Sequence, residues 1–214
     1  MKSIRTTEHR DHRVRNTLLG GSLSLVTALT MLPTGAVEAA EPASPPATAA
    51  KPARLTTAQA RGQYLMSTSG CMDCHTPWKP GEKGPEPDIT RLYSGHPEQL
   101  KMPPAPTLPE GPWVMTAGAT NTAWAGPWGV SFTANLTPDI ETGLGRWSEA
   151  DFIRTIRSGR HMGRGREVLP PMPIAVYNHF TDRDLKAIYA YLRTIPPIRN
   201  RVPDPVPSAP QAAR

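Results

Sequence analysis

Both cysteines of the chain lie in one short segment, Cys71-Met72-Asp73-Cys74-His75. The spacing C-x-x-C-H is typical of covalent c-type haem attachment. On a helical turn, positions i, i+3 and i+4 share one face. Cys71 and Cys74 can then bond the two vinyl groups along one porphyrin edge, and His75 can direct its imidazole at the iron. The sequence therefore predicts one covalent haem c with His75 as the proximal iron ligand.

Two other uses of a C-x-x-C pair are less compatible with this sequence. A thioredoxin-type redox pair is expected in a βαβ context, and no such pattern is evident. A structural zinc site needs four nitrogen or sulfur ligands. Without a second C-x-x-C pair, zinc would depend on scattered histidines. Haem attachment is the interpretation that uses the histidine as well as both cysteines.

The second axial ligand is expected to be a methionine, because a thioether opposite histidine raises the reduction potential and closes the iron to other ligands. Met172 is the strongest candidate among the eight methionines. Its neighbours Pro171 and Pro173 hold the backbone extended and remove N–H donors that would otherwise need partners. Met102, which is also next to a proline, and Met162 are weaker candidates.

Several histidines and arginines are further candidates for contact with the haem. His161 and His179 could ligate iron, although a surface or core position explains each of them more simply. Arg160, Arg164 and Arg166 could neutralise the haem propionates, although a solvated basic loop explains each of these more simply. No Ser/His/Asp arrangement, phosphate loop or carboxylate pair stands out, so the sequence predicts no catalytic residues.

Length and charge exclude little but argue against one class of partner. The 214 residues are enough for one domain with appendages. The formal net charge of +6 lies partly in the N-terminal region, and the chain has no Lys/Arg-rich block. Nucleic-acid binding therefore has little support.

Residues 1–39 have the pattern of a secretory signal peptide. Basic residues precede an apolar run at 18–32, and Val37-Glu38-Ala39 places small residues at positions −3 and −1 of a cleavage site. The run is short for a membrane span, which needs about 20 apolar residues. We expect an exported, periplasmic protein without a stable membrane span after cleavage; an uncleaved anchor is the alternative. Export agrees with the haem interpretation, because bacteria ordinarily attach c-type haem after translocation.

The remainder divides into three parts by composition. Residues 40–54 are rich in Ala and Pro and are expected to form a flexible linker. Residues 55–198 are expected to form the folded domain. The proline-rich residues 199–214 are expected to be a disordered tail.

Three helices are predicted inside the domain from capping residues and apolar spacing. They begin near Thr56, Glu149 and Thr181 and end near 69, 158 and 194. Between 76 and 147 the sequence is rich in Pro and Gly and has little periodicity. A long irregular stretch normally argues against a compact domain, but an apolar haem can replace missing core. Tryptophans in this stretch could cover the haem edge, with loop anchoring as the simpler alternative.

The order of these features resembles that of class I cytochromes c: a helix, C-x-x-C-H, a late methionine beside proline and a closing amphipathic helix. The resemblance implies a mainly α, class I cytochrome c-like helical fold around one covalent haem, with long Pro/Gly-rich loops. In that fold the first and last helices cross where small and aromatic residues meet. Gly62 against Tyr191 or Leu192 would suit this crossing.

A more specific resemblance comes from the second half of the domain. The segments Asn135-Leu136-Thr137-Pro138-Asp139 and Leu169-Pro170-Pro171-Met172-Pro173 resemble haem domains in the cytochrome subunits of periplasmic alcohol, aldehyde and gluconate dehydrogenases. Those subunits usually carry several C-x-x-C-H motifs, whereas this chain has one. The resemblance implies redox partner proteins: a periplasmic dehydrogenase as electron donor and a terminal oxidase or other cytochrome as acceptor.

Two functions from different classes follow from these features. The first is an electron carrier, not an enzyme, whose haem iron is held by His75 and Met172 and cycles between Fe(II) and Fe(III). The second is a haem c enzyme, such as a peroxidase, or a sensor with an open sixth coordination position. Met172 discriminates between them, because a bound thioether closes that position.

Overall fold

The computed structural model describes residues 54–208, so the predicted signal peptide and nearly all of the predicted linker lie outside the described residues. The helices are α1 (Thr57–Thr68), α2 (Cys71–His75), α3 (Glu149–Ser158), α4 (Ile174–Tyr177) and α5 (Asp182–Leu192). The strands are β1 (Trp78–Gly81), β2 (Gly84–Pro87), β3 (Thr116–Ala117), β4 (Ala123–Gly126), β5 (Gly129–Phe132) and β6 (Val206–Pro207). Within residues 54–208, no helix has the length and hydrophobicity that a bilayer crossing requires.

The three helices expected from the sequence are present and begin at their predicted caps. Thr56 and Ser148 each accept a hydrogen bond from the backbone N–H three residues later, in complete capping boxes. Thr181 caps α5 in the same way. Gly159, with φ +64°, ends α3 in the left-handed conformation that glycine adopts without steric cost. Local side-chain chemistry therefore sets these helix ends.

The first and last helices cross at Gly62, as expected. A Cβ atom at this position would lie 1.9 Å from the Ala187 carbonyl oxygen and 2.9 Å from the Tyr191 Cβ. Only glycine permits this approach, which outweighs its cost of roughly 1 kcal/mol inside a helix. Leu65 and Leu185 are buried beside the crossing. The α1–α5 contact is therefore the base of the hydrophobic core, which α3 completes with Phe152 and Ile156.

The prediction of a mainly α fold is wrong. Of the described residues, 31% are helical and 14% are in strands, so the fold is mixed. β1 and β2 form an antiparallel hairpin, and the second sheet has the strand order β3-β4-β5-β6, also antiparallel. Both sheets include parts of the stretch that the sequence predicted to be irregular.

The strands escaped detection because each has only two to four residues. A half-buried strand is recognised by alternation of apolar and polar residues over about four to eight positions. These strands are too short for that pattern, and several contain Gly or Pro. β2, for example, reads Gly84-Pro85-Glu86-Pro87, and proline argues against a strand. Pairing between neighbouring segments, rather than local periodicity, creates the sheets.

Asn200 ties the C-terminal segment to the loops that follow β2. The side chain is 1% exposed. Its amide donates to the carbonyl oxygens of Ser94 (2.7 Å) and His96 (2.8 Å), and its Oδ1 accepts from the backbone N–H of Glu98 (2.8 Å) and from Arg91 (3.1 Å). The buried side chain of Asn200 thus forms hydrogen bonds with backbone groups that are not paired within a helix or strand.

Asn135 has a similar role in the loop before α3. Its amide nitrogen donates to the Ile198 carbonyl oxygen (2.8 Å), and its Oδ1 accepts from the backbone N–H (3.0 Å) and hydroxyl (2.7 Å) of Thr137. The segment after α5 is thereby held against the loop before α3. Asn135, Thr137 and Asn200 are here called the asparagine network.

The structure corrects the predicted disordered tail over residues 199–208. Val206 pairs with Val130 and Pro207 pairs with Gly129, so β6 forms an edge of the second sheet. A Cβ at Gly129, which has φ +96°, would lie 2.1 Å from the Val206 carbonyl oxygen. Residues 209–214 lie outside the described residues.

Replacing Gly62 by alanine is expected to destabilise the protein by about 1–3 kcal/mol, because the new methyl group collides with the backbone of α5. The measurement is the free energy of unfolding from denaturant titration followed by circular dichroism. At an uncrowded helix position the same change would stabilise by about 1 kcal/mol. The control Gln63→Ala, on the exposed side of α1, should change stability by less than about 0.5 kcal/mol. A Gly62→Ala protein as stable as wild type would contradict the observed crossing.

Candidate functional site

The turn α2 directs three of its five side chains at one cavity. Cys71, Cys74 and His75 line the cavity wall, whereas the two residues between the cysteines do not. The chain enters α2 through Gly70, whose φ of +74° reverses direction after α1. Positions i, i+3 and i+4 therefore share a face, as the C-x-x-C-H spacing predicts.

The cavity has a volume of about 360 Å³, within the range of roughly 300–1,000 Å³ that is usual for ligand and cofactor sites. Its walls are mainly apolar and continue the hydrophobic core. They include Met66 from α1, Leu144, Phe152 and Ile156 on and before α3, and Leu185, Ile188 and Leu192 from α5. The helices thus form one side, and the loops after β5 and before α4 form the others.

His75 is held in a single orientation and protonation state. The side chain is 8% exposed, and its Nδ1 lies 2.8 Å from the Ala134 carbonyl oxygen. Since a carbonyl only accepts, Nδ1 carries the proton, and the lone pair of Nε2 remains available as a ligand. Burial lowers the pKa of His75, so the ring is neutral at pH 7. A backbone hydrogen bond on the second nitrogen is the usual support of a metal-bound histidine.

Neither cysteine forms a disulfide, and both lie in largely apolar surroundings. Burial raises the pKa of Cys71 to about 11, and burial together with the Asp73 charge raises the pKa of Cys74. Reactive cysteines, in contrast, have lowered pKa values. The environment disfavours a thiolate and suits a neutral thioether. In the described part of the chain, no three His, Cys, Asp or Glu side chains gather into a metal-binding group.

Met172 lines the same cavity as the three residues of α2. It is partly buried and packs against the hydrophobic core. Its loop is joined to the second sheet, because the Ser131 hydroxyl donates to the Pro170 carbonyl oxygen at 2.5 Å. The backbone N–H of Ile174 donates to the Met172 carbonyl oxygen at 2.9 Å, as α4 begins. The structure therefore brings the predicted ligand residues together around one space.

The competing methionines lie elsewhere or have a packing role. Met102 and Met162 are not among the residues that line the cavity. Met102 instead packs near Gly118. Met66 does line the cavity, but it is 1% exposed and belongs to the hydrophobic core around α1. Met115 is exposed.

The weaker polar candidates separate in the same way. His161 and Arg166 line the cavity, whereas His179, Arg160 and Arg164 do not. The His161 ring packs edge-on against Trp147, with 4.9 Å between ring centroids. Both ring nitrogens of His96, a histidine that the sequence did not single out, are paired, with Thr122 Oγ1 and the Leu100 carbonyl oxygen.

Four of the five tryptophans do not line the cavity, and two of these four anchor loops through hydrogen bonds. The Trp78 indole donates to the Asp73 carbonyl oxygen at 3.0 Å, and the Trp128 indole donates to the Ser131 hydroxyl at 3.3 Å. Trp113 is 75% exposed. Trp147, nearer to α3, is the tryptophan that lines the cavity.

Two features of the cavity had no signal in the sequence. Residues 201–205, including Arg201 and Asp204, form part of its wall because β6 pairs with β5. Thr133 also lines the cavity, and its buried hydroxyl has no hydrogen-bond partner among the described residues. Buried hydroxyls normally have partners. Long-range pairing places both features, so no local motif announces them.

These residues fit a haem. The apolar walls suit a macrocycle, the two thiols and the His75 Nε2 suit its attachment, and Met172 supplies a second soft donor. The unpaired Thr133 hydroxyl, Arg166 and Arg201 are hydrogen-bond donors that suit carboxylates such as the propionates. Each chemical part of the group therefore has matching side chains in the cavity wall.

Comparison with known proteins gives several relatives that are named as cytochrome c subunits or c-type cytochromes. No protein-family model matches the chain. It is similar to one of the subunits of nicotinate dehydrogenase from Pseudomonas putida, with 40% identity over 87 residues, 41% of this chain and 7% of that protein. The fructose dehydrogenase cytochrome subunit of Gluconobacter japonicus is 28% identical over 78% of this chain and 27% of its own length. A dihaem c-type cytochrome of Cereibacter sphaeroides is 27% identical over 68% of this chain and 38% of its own length.

The chain thus resembles c-type cytochromes, and more particularly the cytochrome c subunits of dehydrogenases, which also include those of gluconate and alcohol dehydrogenases. This confirms the resemblance inferred from the sequence, and it supports a cytochrome subunit rather than an enzyme. The chain spans less than two fifths of the length of each of the three relatives described above.

Proposed function

We propose that this protein is a periplasmic electron carrier with one covalently bound haem c, attached through Cys71 and Cys74 and ligated by His75 and Met172. The observation that carries the proposal is that these four residues line a single apolar cavity. The number of haems rests on the single C-x-x-C-H motif of the chain. When bound, the haem supplies an iron that exchanges one electron reversibly.

The chain's own residues perform three tasks. Cys71 and Cys74 hold the cofactor covalently, which keeps it in place in either oxidation state. His75, oriented by the Ala134 carbonyl oxygen, offers Nε2 in a constant direction. Met172, which lines the same cavity, would supply the second ligand of the iron, and the apolar walls would exclude water. Together these features favour electron transfer over substrate binding.

The alternative is a haem c enzyme, such as a peroxidase, or a sensor with an open sixth coordination position. The optical spectrum of the oxidised protein separates the two. A methionine-to-iron charge-transfer band, with no CO binding by the reduced form, supports the carrier. A high-spin spectrum, or ready CO binding by the reduced form, would refute the electron carrier and favour the enzyme or sensor.

The partners are proposed from the relatives. Several are named as cytochrome subunits of dehydrogenases, so we propose a periplasmic dehydrogenase as the electron donor. A terminal oxidase or another cytochrome is the proposed acceptor. We further propose residues 1–39 as a cleaved signal peptide and residues 40–54 as a linker before the haem-carrying domain at 55–198.

Met172→Ala is expected to lower the reduction potential by on the order of 100 mV. Water is a poorer partner than a soft sulfur for Fe(II), so the reduced state loses relative stability. For one electron, about 1.4 kcal/mol corresponds to 59 mV. The haem should remain attached, because the three residues of α2 are unchanged, and the reduced protein should now bind CO. Potentiometric titration and CO difference spectra measure both effects.

Met102→Ala and Met162→Ala are the controls, since neither residue lines the cavity. Both should leave the spectrum and the potential almost unchanged. If Met172→Ala retains a His/Met spectrum while one of these variants loses it, the ligand assignment is wrong. The carrier function would survive that result.

The double variant Cys71→Ala/Cys74→Ala is expected to contain no covalent haem, because these are the only cysteines of the chain. Each single variant should retain one thioether. Haem staining after denaturing gel electrophoresis tests this directly. Staining of the double variant at wild-type intensity would refute the attachment site.

Exported protein is expected to begin near Ala40 and to carry the added mass of one haem. The small residues at positions 37 and 39 place the predicted cleavage after Ala39. Intact-mass spectrometry of the periplasmic fraction is the measurement. A mass that includes the apolar run at 18–32 would indicate an uncleaved anchor, and a second haem mass would contradict the stoichiometry.

A further inference from the structure

The short segment 131–134, at and just after the end of β5, contacts both elements that carry the proposed axial ligands, the helix α2 and the loop before α4. The Ala134 carbonyl oxygen accepts the His75 Nδ1–H at 2.8 Å. Three residues earlier, the Ser131 hydroxyl donates to the Pro170 carbonyl oxygen at 2.5 Å, two residues before Met172. Residues 131–134 therefore form hydrogen bonds with His75 and with the segment before Met172, and both Ser131 and Ala134 line the cavity.

The Ser131 hydroxyl is committed to this contact by its surroundings. The residue is 7% exposed, so water does not compete freely for it. Its oxygen accepts from the Trp128 indole at 3.3 Å. The hydroxyl hydrogen has two acceptors within reach, and the Pro170 carbonyl oxygen at 2.5 Å is much closer than the Trp124 carbonyl oxygen at 3.5 Å, so the bond to Pro170 dominates. Its backbone is paired with Trp124 of β4, so the sheet holds Ser131 in place. A buried hydrogen bond on a rigid element transmits that rigidity to its partner.

The Met172 loop, which comprises residues 169–173, has few other hydrogen bonds that could hold it in place. Pro170, Pro171 and Pro173 have no N–H groups, so this part of the loop donates few backbone hydrogen bonds. Within the described residues, backbone hydrogen bonds resume on either side, where Val168 donates to the Gly159 carbonyl oxygen and where α4 begins. The loop therefore depends on a donor from outside, and Ser131 supplies it.

We propose that Ser131 is a positioning residue that holds the Met172 loop against the cavity and thereby stabilises the methionine-ligated state. This inference rests on the proposed function, since it presumes Met172 as an axial ligand. It assigns to Ser131 no contact with the iron. Its effect is on the equilibrium between methionine-bound and methionine-dissociated forms of the oxidised protein.

The experiment measures the affinity of the oxidised haem protein for cyanide, which competes with Met172 for the iron. Loss of one neutral hydrogen bond should raise the dissociated fraction and tighten cyanide binding about 3- to 10-fold in Ser131→Ala. Hydrogen exchange of a peptide spanning residues 166–177 should accelerate in the same variant. Ser94→Ala is the matched control, because Ser94 is fully buried and its hydroxyl has no partner among the described residues.

The pair Ser131→Thr and Ser131→Val separates the hydroxyl from packing, because the two side chains have nearly the same volume. Ser131→Thr should bind cyanide more weakly than Ser131→Val by about 3- to 10-fold, even if both side chains are crowded. This comparison also serves if Ser131→Ala yields too little haem protein. Three results would each overturn the inference: equal cyanide affinities in wild type and Ser131→Ala, equal affinities in Ser131→Thr and Ser131→Val, or an equal effect of Ser94→Ala.

The wild-type spectrum distinguishes this failure from failure of the proposed function. A wild-type protein with the methionine charge-transfer band and unaltered cyanide affinity in Ser131→Ala would refute the role of Ser131 alone. A wild-type protein without that band would overturn both proposals, because Ser131 would then have no axial ligand to position.

Discussion

The buried amide side chains of Asn135 and Asn200 hold together the part of the molecule that has neither a long helix nor a long strand. The asparagine network joins the segment after α5 to loops about 60 to 100 residues earlier in the chain. Each buried polar group left without a partner would cost about 1–3 kcal/mol. The Asn200 side chain is 1% exposed and forms hydrogen bonds with four groups. In a sheet, hydrogen bonds between neighbouring strands would have this role. The site inherits its geometry from this network, because Ala134, which orients His75, directly precedes Asn135.

The two sides of the cavity are therefore stabilised by different kinds of interaction. The helical side relies on hydrophobic burial and on the close crossing at Gly62, which tolerate little change in volume. The loop side relies on specific hydrogen bonds, from Asn135, Ser131 and the backbone around Ala134. The proposed covalent attachment involves α2, so a bound cofactor would itself contribute to joining the two sides. A cofactor of this size can supply core that a domain with so few long elements lacks.

The sequence predicted which residues of the candidate site come together better than it predicted the fold, and the reason lies in the range of the interactions. The spacing of Cys71, Cys74 and His75 is local, so one helical turn suffices to place them on one face. Helix ends at Thr56, Ser148 and Gly159 are equally local and agree with the structure. The strands depend on partners, and their two to four residues carry no pattern of their own. Thr133 and Arg201 reach the cavity through sheet pairing, which the pattern of neighbouring residues does not reveal.

The position of β6 in the chain has a consequence for the order in which the cavity is built. A chain emerges from the ribosome with its N-terminal residues first. The cysteines of α2 are thus available more than a hundred residues before the wall formed by 201–205 and closed by β6. Until those last residues arrive, the cavity lacks one side. The cavity of the nascent domain is consequently open on one side, and its last wall forms only after residues 201–207 have been synthesised.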